Sequence, residues 1–113
     1  MQQITLDFWQ HTRALLDAFR GEGVLCCVGD VNGEYNVITL GWGQIGPSYH
    51  GHPVLTIAVT PQRYSWRFLE EEDGFVIAVA PDKEAARLCG TLSGRDTDKF
   101  RQANLTPMPS PHV

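Results

Sequence analysis

The sequence predicts a mainly β protein of the α+β class, a mostly antiparallel sheet or small barrel into which helices are inserted. Three observations support this prediction: four short apolar runs typical of strands, a strong hairpin signal between the first two, and no sustained β-α-β alternation. The 11 glycines and 7 prolines also indicate many turns rather than a helical bundle. A parallel dinucleotide-binding sheet is therefore a poor interpretation.

Length and charge limit the functions to consider. At 113 residues the chain should form a single domain, folding as a unit or as half of one. A net charge of −4 disfavours attraction to nucleic acids or anionic membranes, so any phosphate must be held locally. The three cysteines lack a C-x-x-C spacing and do not predict a disulfide framework. Because no leader or bilayer-length apolar run is visible, we expect a cytoplasmic protein.

The first part of the chain predicts a helix followed by a hairpin. Apolar residues recur at helical spacing over residues 6–20, and the glycines that follow end the pattern. Val24–Val28 is typical of a strand, and Asn32-Gly33 is a turn pair that tolerates positive φ. The next strand begins at Tyr35, so these two strands should be antiparallel neighbours.

The second strand leads into a glycine-flanked tryptophan. The stretch runs Tyr35-Asn36-Val37-Ile38-Thr39-Leu40-Gly41-Trp42-Gly43. Alternation places apolar side chains on both of its faces, so both faces must be covered. Gly41 and Gly43 let a flat group approach the main chain beside Trp42. Two interpretations remain open: a buried strand that ends beside a core tryptophan, or the floor of a ligand site.

The middle of the chain predicts a loop, a strand and a helix. Glycines and prolines make residues 43–53 a loop, and the apolar run Val54–Val59 should be a central strand. Thr60-Pro61 then supplies an N-cap and a first-turn proline for a helix that runs to the acidic residues 70–73.

The last part predicts one more strand and one more helix. Phe75–Ala80 should be a buried strand, Pro81-Asp82 a break and cap, and Lys83–Leu92 a short helix. A barrel would then occupy residues 24–107, and alternating prolines exclude helix and central strand from residues 107–113.

Two segments carry groups suited to a phosphate monoester. Thr60–Ser65 offers hydroxyls, one guanidinium and the free N–H groups of a predicted helix start. Residues 89–100 again unite hydroxyls, glycines and cations. Each segment alone is more often a simple cap or a solvated surface, but two of them in an acidic chain favour an anion site.

These segments resemble the flavin reductase-like, flavoredoxin-type family of FMN-binding split barrels. The resemblance covers about Val24 to Pro107 and includes the stretch from Asn36 to Gly43 and the Thr60–Ser65 segment. Its most specific part is C-G-x-x-S-G-R-x-x-D-K-F, from Cys89 to Phe100. It implies an antiparallel Greek-key split barrel with inserted helices, one FMN per site, and further strands after the position of Pro111, so that the barrel is incomplete here.

The resemblance also implies which residues hold the cofactor. The isoalloxazine would lie along the main chain of Ile38, Thr39, Leu40, Gly41 and Trp42, with Thr39 as the expected side-chain contact. The ribityl phosphate would meet Arg63, Tyr64, Ser65, Ser93, Gly94, Arg95 and Lys99. NADH or NADPH would be the co-substrate, and no side-chain acid or base is needed.

Family members are usually dimers, and we expect a homodimer here. Its interface would bury a shared apolar patch to which Phe8, Trp9 and Leu16 are candidate contributors. The physiological electron acceptor stays open.

The sequence also contains features of other kinds of site. A metal site would use His50 and His52, but Gly51 and Pro53 make this segment a loop with no accompanying carboxylate. Cys89 near a helix C-terminus is a packing residue rather than an activated thiol. The main alternative is a non-catalytic, truncated split barrel that serves as a flavin-binding or dimerisation module. Binding of nucleic acid is disfavoured by charge.

Overall fold

The computed structural model describes residues 7–30, 32–91, 93, 98–103 and 105. The helices are α1 Phe8–Arg20, α2 Trp66–Glu71, α3 Lys83–Thr91 and α4 Lys99–Gln102, with a short 3-10 helix at Tyr49–Gly51. The strands are β1 Val24–Gly29, β2 Tyr35–Leu40, β3 Gly43–Pro47, β4 Pro53–Ile57 and β5 Val76–Ala78. None of the described helices has the length and apolar character needed to cross a membrane.

The described strands form two antiparallel sheets, one in the order β2-β1-β5 and the other pairing β3 with β4. The predicted hairpin between β1 and β2 is confirmed, with Cys26 opposite Ile38. In its turn Gly33 takes a φ of 85°, and the Asp30 carboxylate accepts the backbone N–H of Glu34 at 3.0 Å. This side-chain bond fixes the register of the first two strands.

Both faces of β2 are covered, as its apolar alternation predicts. On one face Ile38 and Leu40 join the core formed with α1 and α2, in which Phe68 is buried. On the other face Val37 packs with Cys89 of α3 and Phe100 of α4. The central hairpin is therefore enclosed between two pairs of helices.

Helix α1 matches the predicted amphipathic helix within the described residues. Its first turn is closed by the Gln10 side chain, which accepts the Asp7 backbone N–H at 2.9 Å. Leu15 and Phe19 are its buried residues, and both belong to the core beside β1. The N–H of Gly23 donates to the Ala18 carbonyl at 2.8 Å, so the chain turns directly from α1 into β1.

The prediction of a loop over residues 43–53 is wrong, because the segment begins with strand β3. Its first glycine, Gly43, permits close packing rather than a turn. A Cβ on Gly43 would lie 2.5 Å from the Phe19 ring, so only glycine lets α1 pack this closely on the strand. The 3-10 helix at Tyr49–Gly51 then makes the connection to β4.

The two later strands are less central than predicted. Among the described residues β4 pairs with β3 alone, and Val54 is 44% exposed. β5 has three half-buried residues. It pairs with the edge of β1 that is opposite to β2. Apolar composition shows that such strands bury area, but it does not specify which neighbours cover them.

Helix α2 begins later than predicted. Residues 61–65 form successive turns, in which the Arg63 N–H donates to the Thr60 carbonyl at 3.1 Å and the Trp66 N–H donates to the Arg63 carbonyl at 3.0 Å. The N-cap residue is Ser65 rather than Thr60. The predicted cap of α3 is confirmed, because Asp82 accepts the Ala85 N–H at 2.7 Å.

Candidate functional site

A buried lysine lies at the start of α4. Lys99 is 3% exposed, and its Nζ donates a hydrogen bond of 2.9 Å to the Cys89 carbonyl near the end of α3. It is carried inward because α4 buries Phe100 against β2, where its ring lies edge-on to Tyr35 with centroids 5.0 Å apart. A charged amine in such a position needs partners that compensate for lost water.

The charge next to Lys99 is positive. Burial, and then the nearby Arg63 guanidinium, lower the pKa of Lys99 to about 8, while Cys89 acts weakly in the opposite direction. Arg63 comes from the turn after β4, so two cations from distant parts of the sequence lie close enough for one charge to lower the pKa of the other. Repulsion between them is relieved when an anion lies between them, as a phosphate would.

The turn that carries Arg63 is attached to β2 by a buried hydrogen bond. Asn36 Nδ2 donates to Ser65 Oγ at 2.8 Å, and the two residues are 3% and 0% exposed. Ser65 is thus enclosed behind Arg63, with its hydroxyl oxygen already accepting a hydrogen bond. In this conformation a ligand would meet Arg63 before it met Ser65.

A second connection to the hairpin lies closer to the surface. Arg67 Nη2 donates to Tyr64 Oη at 3.1 Å and forms an ion pair with Glu34. The guanidinium carbon stands 4.1 Å from the centre of the Phe68 ring. The hydrogen bond to Tyr64 is the largest cause that raises the pKa of Arg67. Burial lowers this pKa, and the hydrogen bond to Glu34 raises it. Tyr64 is therefore oriented by its neighbour in α2.

Helix α3 closes over one face of β2. The Thr39 hydroxyl donates to the Ala86 carbonyl, and a Cβ on Gly90 would lie only 3.2 Å from Thr39 Cβ. The absence of a side chain at Gly90 thus permits the close contact between helix and strand. Ile38 and Leu40 are buried and Thr39 is bonded to α3, so the side chains of residues 38, 39 and 40 all point into packed regions.

The end of β2 is open, in contrast to its middle. Trp42 is 57% exposed, and a Cβ on Gly41 would have no atom within 4 Å. Within the described residues β2 is an edge strand, so one row of its backbone groups does not pair with another strand. The main chain is therefore accessible at Gly41 and Trp42, while contacts of a flat ligand along residues 38–42 stay a prediction.

The structure brings together only some of the predicted site residues. Arg63 and Lys99 converge, Tyr64 and Ser65 belong to the turn that carries Arg63, and Ser93 is half-buried. Gly94 and Arg95 lie outside the described residues, as do residues 107–113. The ligand contacts of the whole set stay predictions.

Two residues that organise this region were not predicted as site residues, Asn36 and Arg67. The signal for Asn36 was a polar amide inside an apolar strand. Such a residue must find a buried partner, but the sequence does not reveal which one. Arg67 gave no distinct signal among other helix cations.

The cysteines are protonated rather than activated, and Cys26 and Cys89 are buried while Cys27 is half-buried. Burial, with a smaller contribution from Cys27, raises the pKa of Cys26 to about 12. Burial and then Cys89 raise the pKa of Cys27 to about 11. Burial also raises the pKa of Cys89, against an opposing effect of Lys99. Because the thiolate is the nucleophilic form, these side chains act as packing groups at neutral pH.

The two histidines considered for a metal site are both exposed on the connection between β3 and β4. In the part of the chain that the structure describes, no three His, Cys, Asp or Glu side chains are grouped to hold a metal ion.

A separate pocket opens between β4, α2 and the start of β5. Its volume is about 320 Å³, and its lining is mainly apolar with two carboxylates. The lining residues are Ile57, Val59, Trp66, Leu69, Glu72, Asp73 and Phe75. None of the cations discussed above lines it.

Comparison with known proteins gives one family and one informative structure. A model of the family described as "Flavin reductase like domain" matches residues 20–113. Among solved structures, flavoredoxin of Desulfovibrio vulgaris (Miyazaki F) is similar, with 27% sequence identity and a TM-score of 0.69. The similarity covers 80% of this chain and 49% of that one, so the chain spans about half the length of flavoredoxin. The search of curated proteins finds no significant match.

The structural similarity confirms the predicted fold class, an antiparallel split barrel with inserted helices. The two described sheets and the helices packed on both faces of β2 are this chain's part of that fold.

Proposed function

Because the chain belongs to the flavin reductase-like domain family, we propose that it binds FMN and accepts electrons from NADH or NADPH. The observation that supports FMN most directly is the convergence of Arg63 and Lys99. FMN differs from riboflavin by its phosphate, and the paired cations match that group. The family itself indicates a flavin without specifying the form.

The residues present fit a phosphate monoester. Lys99 is held in place by the Cys89 carbonyl, and an ammonium group with three donors can bind an anion as well as that carbonyl. Arg63 adds a guanidinium, which favours planar, bidentate contacts with phosphate. Two cations held beside each other in a partly buried position are costly alone and favourable with a dianion.

The isoalloxazine would lie along the open edge of β2 near Gly41 and Trp42. Contacts there come from the main chain of residues 38–42 and from the exposed Trp42 ring, because the Ile38, Thr39 and Leu40 side chains are engaged elsewhere. Ser93, Gly94 and Arg95 complete the proposed phosphate set. When bound, the flavin supplies the two-electron redox chemistry, and the protein binds and orients it.

A non-catalytic flavin-binding or dimerisation module is the second candidate. The similarity covers 49% of flavoredoxin, so flavoredoxin-like activity of this chain is itself a proposal. The absorption of bound flavin and its reduction by NADH or NADPH distinguish the two candidates.

The test is to load the purified protein with excess FMN, remove free flavin by desalting and record the spectrum between about 350 and 500 nm. Anaerobic NADH or NADPH is then added. Retained flavin that bleaches faster than free FMN supports the oxidoreductase. Retained flavin that does not bleach supports the non-catalytic module, and the loss of all flavin on desalting contradicts FMN binding.

A further inference from the structure

We propose that Asn36 is a positioning residue: its buried hydrogen bond to Ser65 fixes the Thr60–Ser65 turn against β2 and so keeps Arg63 near Lys99. This inference rests on the proposed function, because the anion held between the two cations is the FMN phosphate. Asn36 does not touch that anion in this account. It determines where one of the two cations stands.

The hydrogen bond has the properties of a structural determinant. Asn36 Nδ2 and Ser65 Oγ are 2.8 Å apart, and 29 residues separate the two partners. Both side chains are at most 3% exposed, so neither can exchange its partner for water. An unsatisfied polar group at such a position is destabilising, because its lost hydrogen bonds to water are not replaced. Within the described residues, no buried side-chain polar atom lacks a partner.

Two backbone bonds within the turn set its shape rather than its place. The backbone bonds from Arg63 to Thr60 and from Trp66 to Arg63 are local. The Arg67–Glu34 ion pair also reaches the hairpin, but its side chains are 36% and 61% exposed. Exposed pairs of this kind contribute little to stability, because solvent screens the two charges. The buried bond from Asn36 is therefore the stronger link between the turn and the sheet.

The position of Ser65 separates this inference from direct phosphate binding. A serine that is 0% exposed, and whose oxygen accepts from Asn36, acts on a ligand through the backbone next to it. Removing the bond would let the turn move and separate Arg63 from Lys99. The flavin ring, which lies along β2, would keep its contacts.

The test is a double-mutant cycle with Asn36→Leu, Ser65→Ala and the double variant, each titrated with FMN and riboflavin. We expect each single variant to lower the affinity for FMN about 5-fold to 30-fold and the affinity for riboflavin less than about twofold. The double variant should be no weaker than the worse single variant, because the same bond is lost once. Since it leaves no unpaired buried partner, it also gives a folded protein if a single variant fails to fold.

Leu15→Ala is the matched control for stability, because it removes buried core volume from α1 while both partners of the Asn36–Ser65 hydrogen bond are kept. It should keep the wild-type preference for FMN over riboflavin. If Asn36→Leu and the double variant also keep that preference, the inference is wrong. If Ser65→Ala alone loses it, Ser65 is a direct ligand and Asn36 has no positioning role.

A second measurement needs no flavin. The pKa of Lys99 can be followed by NMR of the lysine side chain in the apo protein. In Asn36→Leu it should rise part of the way toward its ordinary value, because Arg63 moves away while burial, the larger cause, persists. An unchanged Lys99 pKa would overturn the inference. Failure of the proposed function looks different: the wild type would then show no preference for FMN over riboflavin.

Discussion

At the scale of single residues, Lys99 should make flavin binding depend on pH. Its pKa is about 8 in the apo protein because of burial and Arg63, and a bound dianion would raise it. The complex then holds more protons than the free protein above that pH. FMN affinity should therefore fall as pH rises through about 8, by up to about tenfold per unit. Fluorescence titrations between neutral pH and pH 9.5 or so measure this.

Riboflavin is the control for this pH dependence, because it has the same ring without the phosphate. Its affinity should be flat over the same range. Lys99→Met should remove the slope for FMN, since no amine remains to titrate. A slope that persists in Lys99→Met would assign the titrating group elsewhere.

The two cations should also differ in importance. Lys99→Ala and Arg63→Ala should each weaken FMN by about 1–3 kcal/mol while barely changing riboflavin. A helix that began at Thr60, as predicted, would place Arg63 in its first turn and favour it over Lys99. Because α2 begins at Trp66, that reason is gone, and the buried Lys99 should have the larger effect.

Arg13→Ala is the matched control for these variants. Its side chain is 92% exposed on α1, so it should leave both affinities unchanged. If Arg63→Ala and Lys99→Ala lowered the affinities for FMN and riboflavin equally, the phosphate would lie at another part of the molecule.

At the scale of elements, strand β3 allows a test of close packing. Gly43→Ala would set a Cβ 2.5 Å from the Phe19 ring and 3.0 Å from the Thr56 carbonyl. We expect a loss of about 1–3 kcal/mol in the free energy of unfolding, measured by urea denaturation. Gly46→Ala is the control in the same strand, because its Cβ would meet no atom within 4 Å, and it should change stability by less than about 0.5 kcal/mol. Equal effects would contradict packing as the reason for Gly43.

Gly43 also shows why part of this fold could not be predicted. A glycine that permits contact with a helix and a glycine that permits a turn look the same in sequence, so β3 was expected as a loop. The hairpin and α3 were predicted because their signals are local, in Asn32-Gly33 and Asp82. The N-cap of α2, Ser65, instead has its buried hydrogen-bond partner 29 residues away, at Asn36. In the same way the sequence identified Arg63 and Lys99 as candidates, whereas their proximity is a tertiary property.

At the scale of the whole molecule, the exposed apolar surface favours self-association. Trp9 and Leu16 on α1 are 40% and 44% exposed, and Val54 of β4 is 44% exposed. We expect a homodimer with twofold symmetry that covers such side chains. Sedimentation velocity over a micromolar range should give the dimer, and Leu16→Asp should shift it toward monomer if α1 contributes. A monodisperse wild-type monomer would contradict this expectation.

The burial of Cys26 gives the protein an internal reporter of its own opening. This thiol is 0% exposed on β1, the strand between β2 and β5, and burial raises its pKa to about 12. An alkylating reagent can therefore reach a reactive thiolate only after the sheet has come apart. The labelling rate of Cys26 then measures the fraction of open molecules in native buffer, without denaturant. A flavin that binds only the closed form slows this labelling, and the factor is one plus the ratio of the flavin concentration to Kd. The labelling rate of one cysteine therefore reports the affinity for the ligand even in the absence of turnover.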